Sequence, residues 1–118
     1  MAQVRGGPSE GLSITVEDTE LGHVIKVGGE LDLASAPELS KVLAEPAGQS
    51  TVPVVLDLQD VTFIDSSALR ALLLAGRELA DAGRKLQIGP RSDVVTRVLE
   101  VTQLDQQTDA FQVLPDTV

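Results

Sequence analysis

The chain has 118 residues, which suits one domain of ordinary size and leaves no room for a second. Apolar residues make up 42% and charged residues 23%, a balance that supports a packed core and excludes disorder over most of the length. Nine basic residues stand against eighteen acidic ones, a formal net charge of -9 that is split as -6 over residues 1–59 and -3 over residues 60–118. Such a chain lacks the basic face that nucleic acid or an anionic membrane rewards, so the expected partner is another protein. The sequence contains no cysteine, which excludes a disulfide scaffold, a thiolate metal site and a cysteine nucleophile. Its longest apolar run, residues 71–75, is far too short to span a bilayer, and the opening residues lack the apolar stretch of a signal peptide; the expected location is the cytoplasm.

Residues 1–11 mix Gly, Pro, Ser and charge without periodicity and are expected to form a flexible arm, with the folded domain over 12–118. Leu12, Ile14 and Val16 alternate with polar residues, the pattern of a half-buried strand. Beyond a turn, Val24, Ile25 and Val27 form a second strand that pairs with the first as a hairpin and ends at Gly28 and Gly29. Ser35, with Pro37 and Glu38 behind it, has the pattern of an N-cap with a capping box. It opens a helix over 35–44 that buries Leu39, Val42 and Leu43.

Val54, Val55, Leu56 and Leu58 are nearly continuous in apolar character, the mark of a central strand covered on both faces. Residues 59–65 read as a link to a helix over 66–82, whose buried stripe is Leu69, Leu72, Leu73, Gly76, Leu79 and Ala80. Leu74 and Ala75 flank that stripe as candidates for a protein contact. Leu86 and Ile88 make a short strand, Ser92 caps a helix over 92–101, and Phe111, Val113 and Leu114 suggest a last strand.

Strand and helix alternate from Val24 onward, so the expected fold is α/β, with a mixed, mostly parallel sheet of four to five strands packed with three to four helices. In such a sheet the loops leaving the carboxyl ends of the strands share one edge, which brings together 29–35, 59–67 and 89–92. Enzyme readings find little there. The single histidine, His23, opens a strand and so belongs to the opposite edge. Ser66 lacks a nucleophile-elbow context, and the chain has neither a P-loop nor a G-x-G-x-x-G motif. Asp32, Asp57, Asp60 and Asp65 fall near strand ends, where solvation or capping is the ordinary role, and no metal site is expected. Asp65, Ser66 and Ser67 stand at a helix N-terminus, where unpaired N–H groups and the helix dipole favour an anion. Two readings of Ser66 follow: it is the helix N-cap, or it is a phosphoacceptor whose modification adds about -1.5 to -2 charge.

The segments VGGELD (27–32), VVLDL (54–58) and FIDSS (63–67), in this order and spacing, resemble the STAS-domain anti-sigma factor antagonists, and the resemblance runs from about Leu12 to Leu114. It implies one STAS domain without enzymatic activity or cofactor, working in a partner switch. The unmodified protein would bind an anti-sigma factor that is also a serine kinase, phosphorylation would release it, and a serine phosphatase would reset it. The resemblance places the phosphoacceptor at Ser66 and the partner contact at Glu30, Leu31, Asp32, Asp65, Ser66 and Ser67; read from the residues alone, 30–32 is either a binding loop or a turn with a buried leucine. Ala68 stands where many members of that family have glycine, which favours the helix by up to about 1 kcal/mol. Arg91 either neutralises a phosphate or is solvated. Two alternatives remain: a STAS scaffold that binds without any kinase, and a receiver domain with Asp57 as phosphoacceptor. The second strand stands against the latter, because a receiver domain has a helix there.

Overall fold

The computed structural model describes residues 2–5, 11–20, 22–44, 52–105 and 108–115, which form one six-stranded sheet and three helices. The hairpin consists of β2 (Leu12–Thr19) and β3 (Gly22–Leu31), antiparallel, with Ile14 opposite Val27 and Val16 opposite Ile25. The strands β4 (Val54–Ile64), β5 (Leu86–Arg91) and β6 (Gln112–Val113) follow, each parallel to its predecessor. They are reached through α1 (Ala36–Ala44), α2 (Ser66–Asp81) and α3 (Asp93–Val101). Strand order in the sheet is chain order, so every parallel step is a β-α-β unit.

One expectation fails at the start of the chain. Residues 2–5, read as part of a flexible arm, are an edge strand, β1 (Ala2–Arg5), antiparallel to β2 with Ala2 opposite Glu17. Four residues are too few to show alternation in a sequence, yet they satisfy the backbone groups on the open side of β2. The sheet therefore has six strands instead of four to five. Residues 6–10 of the same segment lie outside the described residues.

Across the sheet one row of side chains runs Val16, Ile25, Leu56, Ile88 and Val113, and its three central members are fully buried. They share one apolar core with Leu39, Val42 and Leu43 of α1 and Leu69, Leu72 and Leu79 of α2. The helices α1 and α2 pack on each other, and α3, with Val95 and Leu99 buried, lies against β4. The neighbouring row, Glu17, Val24, Val55, Gln87 and Gln112, faces the other way, and only Val55 in it is buried. The apolar run of β4 is thus divided: Val54, Leu56 and Leu58 enter the main core, while Val55 is flanked by Val24 and Gln87.

Both central strands are longer than their alternation suggests. β3 passes through Gly28 and Gly29 to Leu31, and β4 takes in residues 59–64, which had read as a link. The cause is a pair of bulges. Lys26 faces Asp57 but Gly28 faces Asp60, and Gly29 faces Val61 but Glu30 faces Phe63, so β4 gains one residue at each step. Each extra residue reverses the in-out order, and the buried positions recur at every third residue, at Leu58, Val61 and Ile64. In a sequence that spacing does not look like a strand.

Gly29 makes the extension of β3 possible. Its φ is +94°, and a Cβ there would lie 1.5 Å from the carbonyl oxygen of Gly11, which accepts from the Glu30 amide at 3.1 Å. Gly76 plays a similar part in α2, where the Ala110 oxygen sits 2.0 Å from where a Cβ would be. We predict that Gly29→Ala destabilises the fold by about 2 kcal/mol or more, measured by urea denaturation; an unchanged midpoint would refute the close approach.

At the far edge His23 stands opposite Val54, at the amino ends of β3 and β4, and its Nδ1 meets Asp18 Oδ1 at 2.5 Å. The hydrogen bond from His23, and after it the attraction of the ring's charge when protonated, hold the Asp18 carboxyl below the ordinary carboxylate range. Because the folded value is the lower one, this contribution to the hairpin is complete above about pH 4 and is lost as pH falls through the lowered value. An NMR titration should find the Asp18 midpoint raised in His23→Ala; an unaltered Asp18 curve would contradict the pairing. Nearby, Arg84 is buried and its Nε donates to the Val52 carbonyl at 2.8 Å, tying the end of α2 to the entry of β4.

Candidate functional site

The carboxyl ends of three parallel strands are tied to one another by short bonds. Leu31 faces Ile64, and the next amide, that of Asp65, donates to the Leu31 carbonyl at 3.0 Å. The Ser92 amide donates to Leu58 O at 3.1 Å, and the Ser92 hydroxyl donates to Val61 O at 2.6 Å. The three loops expected to share this edge do share it. Ser92 is the N-cap of α3 by backbone position, but its hydroxyl serves the bulged part of β4 instead of the helix.

In the loop from β3 to α1, Asp32 and Ser35 hold each other. The Ser35 hydroxyl donates to the Glu30 carbonyl at 2.8 Å and accepts from the Asp32 amide at 2.9 Å, while Asp32 Oδ1 accepts from the Ser35 amide at 3.0 Å. This closed turn replaces the capping box expected from Ser35 and Glu38. With the hydroxyl directed back along the chain, the Glu38 amide bonds to the Ser35 carbonyl instead, at 3.0 Å. Ser35 is 1% exposed, so its hydroxyl must be paired internally, and the Asp32 turn does that.

The start of α2 also differs from the sequence reading. Asp65, not Ser66, is the N-cap: its backbone is extended, and its Oδ1 accepts from the Ala68 amide at 3.1 Å. An ionised carboxylate at the positive end of the helix is the stronger acceptor of the two candidates. Ser66 is therefore the first residue of the helix. It is exposed, and among the described residues its hydroxyl has no hydrogen-bond partner. Ser67 follows, half-buried, and Ala68 is fully buried.

Of the residues assigned to a partner contact, Glu30 and Ser66 are exposed and Asp32, Asp65 and Ser67 are half-buried, all near this edge. Leu31 is the exception, and its assignment is corrected here: its side chain is 0% exposed, and it contributes only the carbonyl that receives Asp65. The outward leucine is Leu33, 73% exposed, and beside Glu30 on β4 stands Phe63, 45% exposed. Neither was singled out from the sequence. Phe63 is recognisable as outward only once β4 is known to reach Ile64 with Ile64 pointing in. Farther along α2, Leu74 is exposed and Ala75 is buried.

Arg91 is committed elsewhere, its Nη1 donating to the carbonyls of Gly89 at 2.9 Å and Leu114 at 3.1 Å. Asp57 accepts from the amide of Gln59 at 3.1 Å, within the bulged stretch. Among the described residues no group of three or more His, Cys, Asp or Glu converges to hold a metal ion, and no helix is long and apolar enough to cross a membrane. The edge is thus an acidic, partly apolar surface on which the exposed hydroxyl of Ser66 has no partner among the described residues.

A hairpin followed by parallel β-α-β units, with a serine opening the second helix, defines a STAS domain, and the family model described as "Mlab, STAS domain" matches residues 14–115. The chain belongs to that family. It is 31% identical over 93 residues to the anti-sigma-B factor antagonist of Staphylococcus aureus, covering 79% of this chain and 86% of the relative. It is 28% identical over 109 residues to the anti-sigma-F factor antagonist RsfB of Mycobacterium tuberculosis, covering 92% and 88%. Among solved structures, an anti-sigma factor antagonist from Mycobacterium paratuberculosis superposes with a TM-score of 0.73 at 27% identity, covering 88% of this chain and 86% of that one. The unphosphorylated form of the Bacillus protein SpoIIAA shares the fold, with a TM-score of 0.66 at 20% identity, covering 87% and 89%.

Removing the cap should loosen the start of α2. Asp65→Ala is predicted to lower stability by about 1 kcal/mol, and Asp65→Asn, which keeps an acceptor, by much less. Equal losses in chemical denaturation would show that the cap bond does not carry the effect.

Proposed function

We propose that this protein is an anti-sigma factor antagonist that binds an anti-sigma factor with serine kinase activity, and that phosphorylation of Ser66 breaks the contact until a serine phosphatase restores it. The protein acts by binding and catalyses nothing, and the cytoplasm is the setting in which such a transcriptional switch operates. The relatives support the class of function through their names. The observation that carries the residue assignment is the exposed, unpartnered hydroxyl of Ser66 at the first position of α2, on an edge held by backbone bonds.

Each part of the edge has a physical task in this reading. Leu33 and Phe63 supply apolar area that a partner covers, the kind of anchor on which interface energy concentrates. Glu30, Asp32, Asp60 and Asp65 make the rim acidic, which favours a basic partner surface. A kinase reaches Ser66 by parting only the first helical turn, whereas Ser67 lies deeper. A phosphate on Ser66 brings about -1.5 to -2 charge into a rim that is already negative, at the point where the partner removes water.

The test is labelling by the cognate kinase with the phosphate located by mass spectrometry. Ser66→Ala should lose the label and Ser67→Ala should keep most of it; full labelling of Ser66→Ala would refute the assignment. Binding without labelling by any kinase of the host would leave a phosphorylation-independent scaffold in place of the switch. In calorimetry, Phe63→Ala should weaken anti-sigma binding about tenfold or more with the fold intact, and unchanged affinity would remove Phe63 from the contact.

A further inference from the structure

We propose that Arg70 is the intramolecular counter-ion of a phosphate on Ser66, a proposal that rests on the phosphorylation reading above. Ser66 and Arg70 are four residues apart in α2, so they lie one above the other on the same helix face, and both are exposed. Among the described residues Arg70 makes no ion pair or side-chain hydrogen bond. Its guanidinium is therefore available, unlike that of Arg91, which is held by two carbonyls. An anion placed four residues before a cation is the favourable order on a helix, and a guanidinium matches two phosphate oxygens at once.

The other charged groups around this point are mostly acidic. Asp65 caps α2, and Asp32 and Glu30 come from the end of β3 and its loop; farther off are Asp60, opposite Gly28 on β4, and Asp93 at the start of α3. All of them raise the second pKa of a phosphate on Ser66, and Arg70 acts in the opposite sense. In the unmodified protein the guanidinium is open to a partner. In the phosphorylated protein it is taken, so modification withdraws a cation from the docking edge as well as adding an anion.

The experiment uses the full chain with phosphoserine incorporated at position 66 during synthesis, so that no kinase is involved. Phosphorus NMR then follows the second ionisation of that phosphate with pH. Arg70→Gln should raise its midpoint by about 0.3–0.7 unit, Arg70→Lys should raise it less, and Arg77→Gln, three turns from Ser66, should leave it unchanged. In the wild type the Arg70 Nε–H resonance should move when the phosphate is present. Identical titrations in wild type and Arg70→Gln, with an unmoved Arg70 resonance, would overturn the proposal and leave the phosphorylation reading untouched. Failure of every kinase to label Ser66 would instead defeat that reading without altering this measurement.

Discussion

The hydrogen bond from the Asp65 amide to the Leu31 carbonyl, at 3.0 Å, joins the two loops at the carboxyl ends of β3 and β4, and the arrangement of that edge depends on it. It is the last rung of the parallel β3–β4 pairing, and it joins the residue before one loop to the residue that caps the next helix. On the Leu31 side the chain turns at once into the Asp32–Ser35 pair; on the Asp65 side it turns into α2 with the Ala68 amide bonded to the Asp65 carboxylate. The rung forms because β4 carries two extra residues against β3, which lets Ile64 reach Leu31. Without those bulges the alternation after Leu58 would present Asp60 and Thr62 to the core.

This arrangement explains why Ser66 is offered to solvent although serine is itself a good cap. Asp65 occupies the cap position and meets the free amide that a capping hydroxyl would otherwise take. The serine is left with an exposed hydroxyl on a rigid support, and a modification there alters charge without requiring the sheet to rearrange. The same division of labour holds in the neighbouring loop. Ser35 is buried and committed to its turn, Leu31 is buried beneath it, and Leu33 is left outside.

Helical periodicity made α1, α2 and α3 legible in the sequence almost to their ends, because each carries one continuous apolar stripe. The hairpin was legible for the same reason, from Leu12 to Val27. Legibility stopped where alternation stopped. The bulged half of β4 reads as a link because its buried residues are three apart, and β1 is too short to show a period at all. The start of α2 at Ser66 was legible but its cap was read one residue late, since both Asp65 and Ser66 suit a cap and only geometry decides between them. Leu31 and Leu33 differ by two positions in a stretch whose strand status was hidden, so the sequence left Leu31 open between a buried turn leucine and a contact residue and did not mark Leu33 as the exposed one. Ser66 itself was legible from its place before an apolar helix and from the FIDSS motif.

In the proposed function Ser66 is a charge switch on a preformed edge. The most direct measurement is calorimetric titration of the anti-sigma partner with the unmodified protein and with the protein phosphorylated at Ser66. A desolvated phosphate beside Asp32 and Asp65 should cost on the order of 2–4 kcal/mol, so the phosphorylated form should bind about 30- to 1000-fold more weakly. Equal affinity of the two forms would contradict the switch.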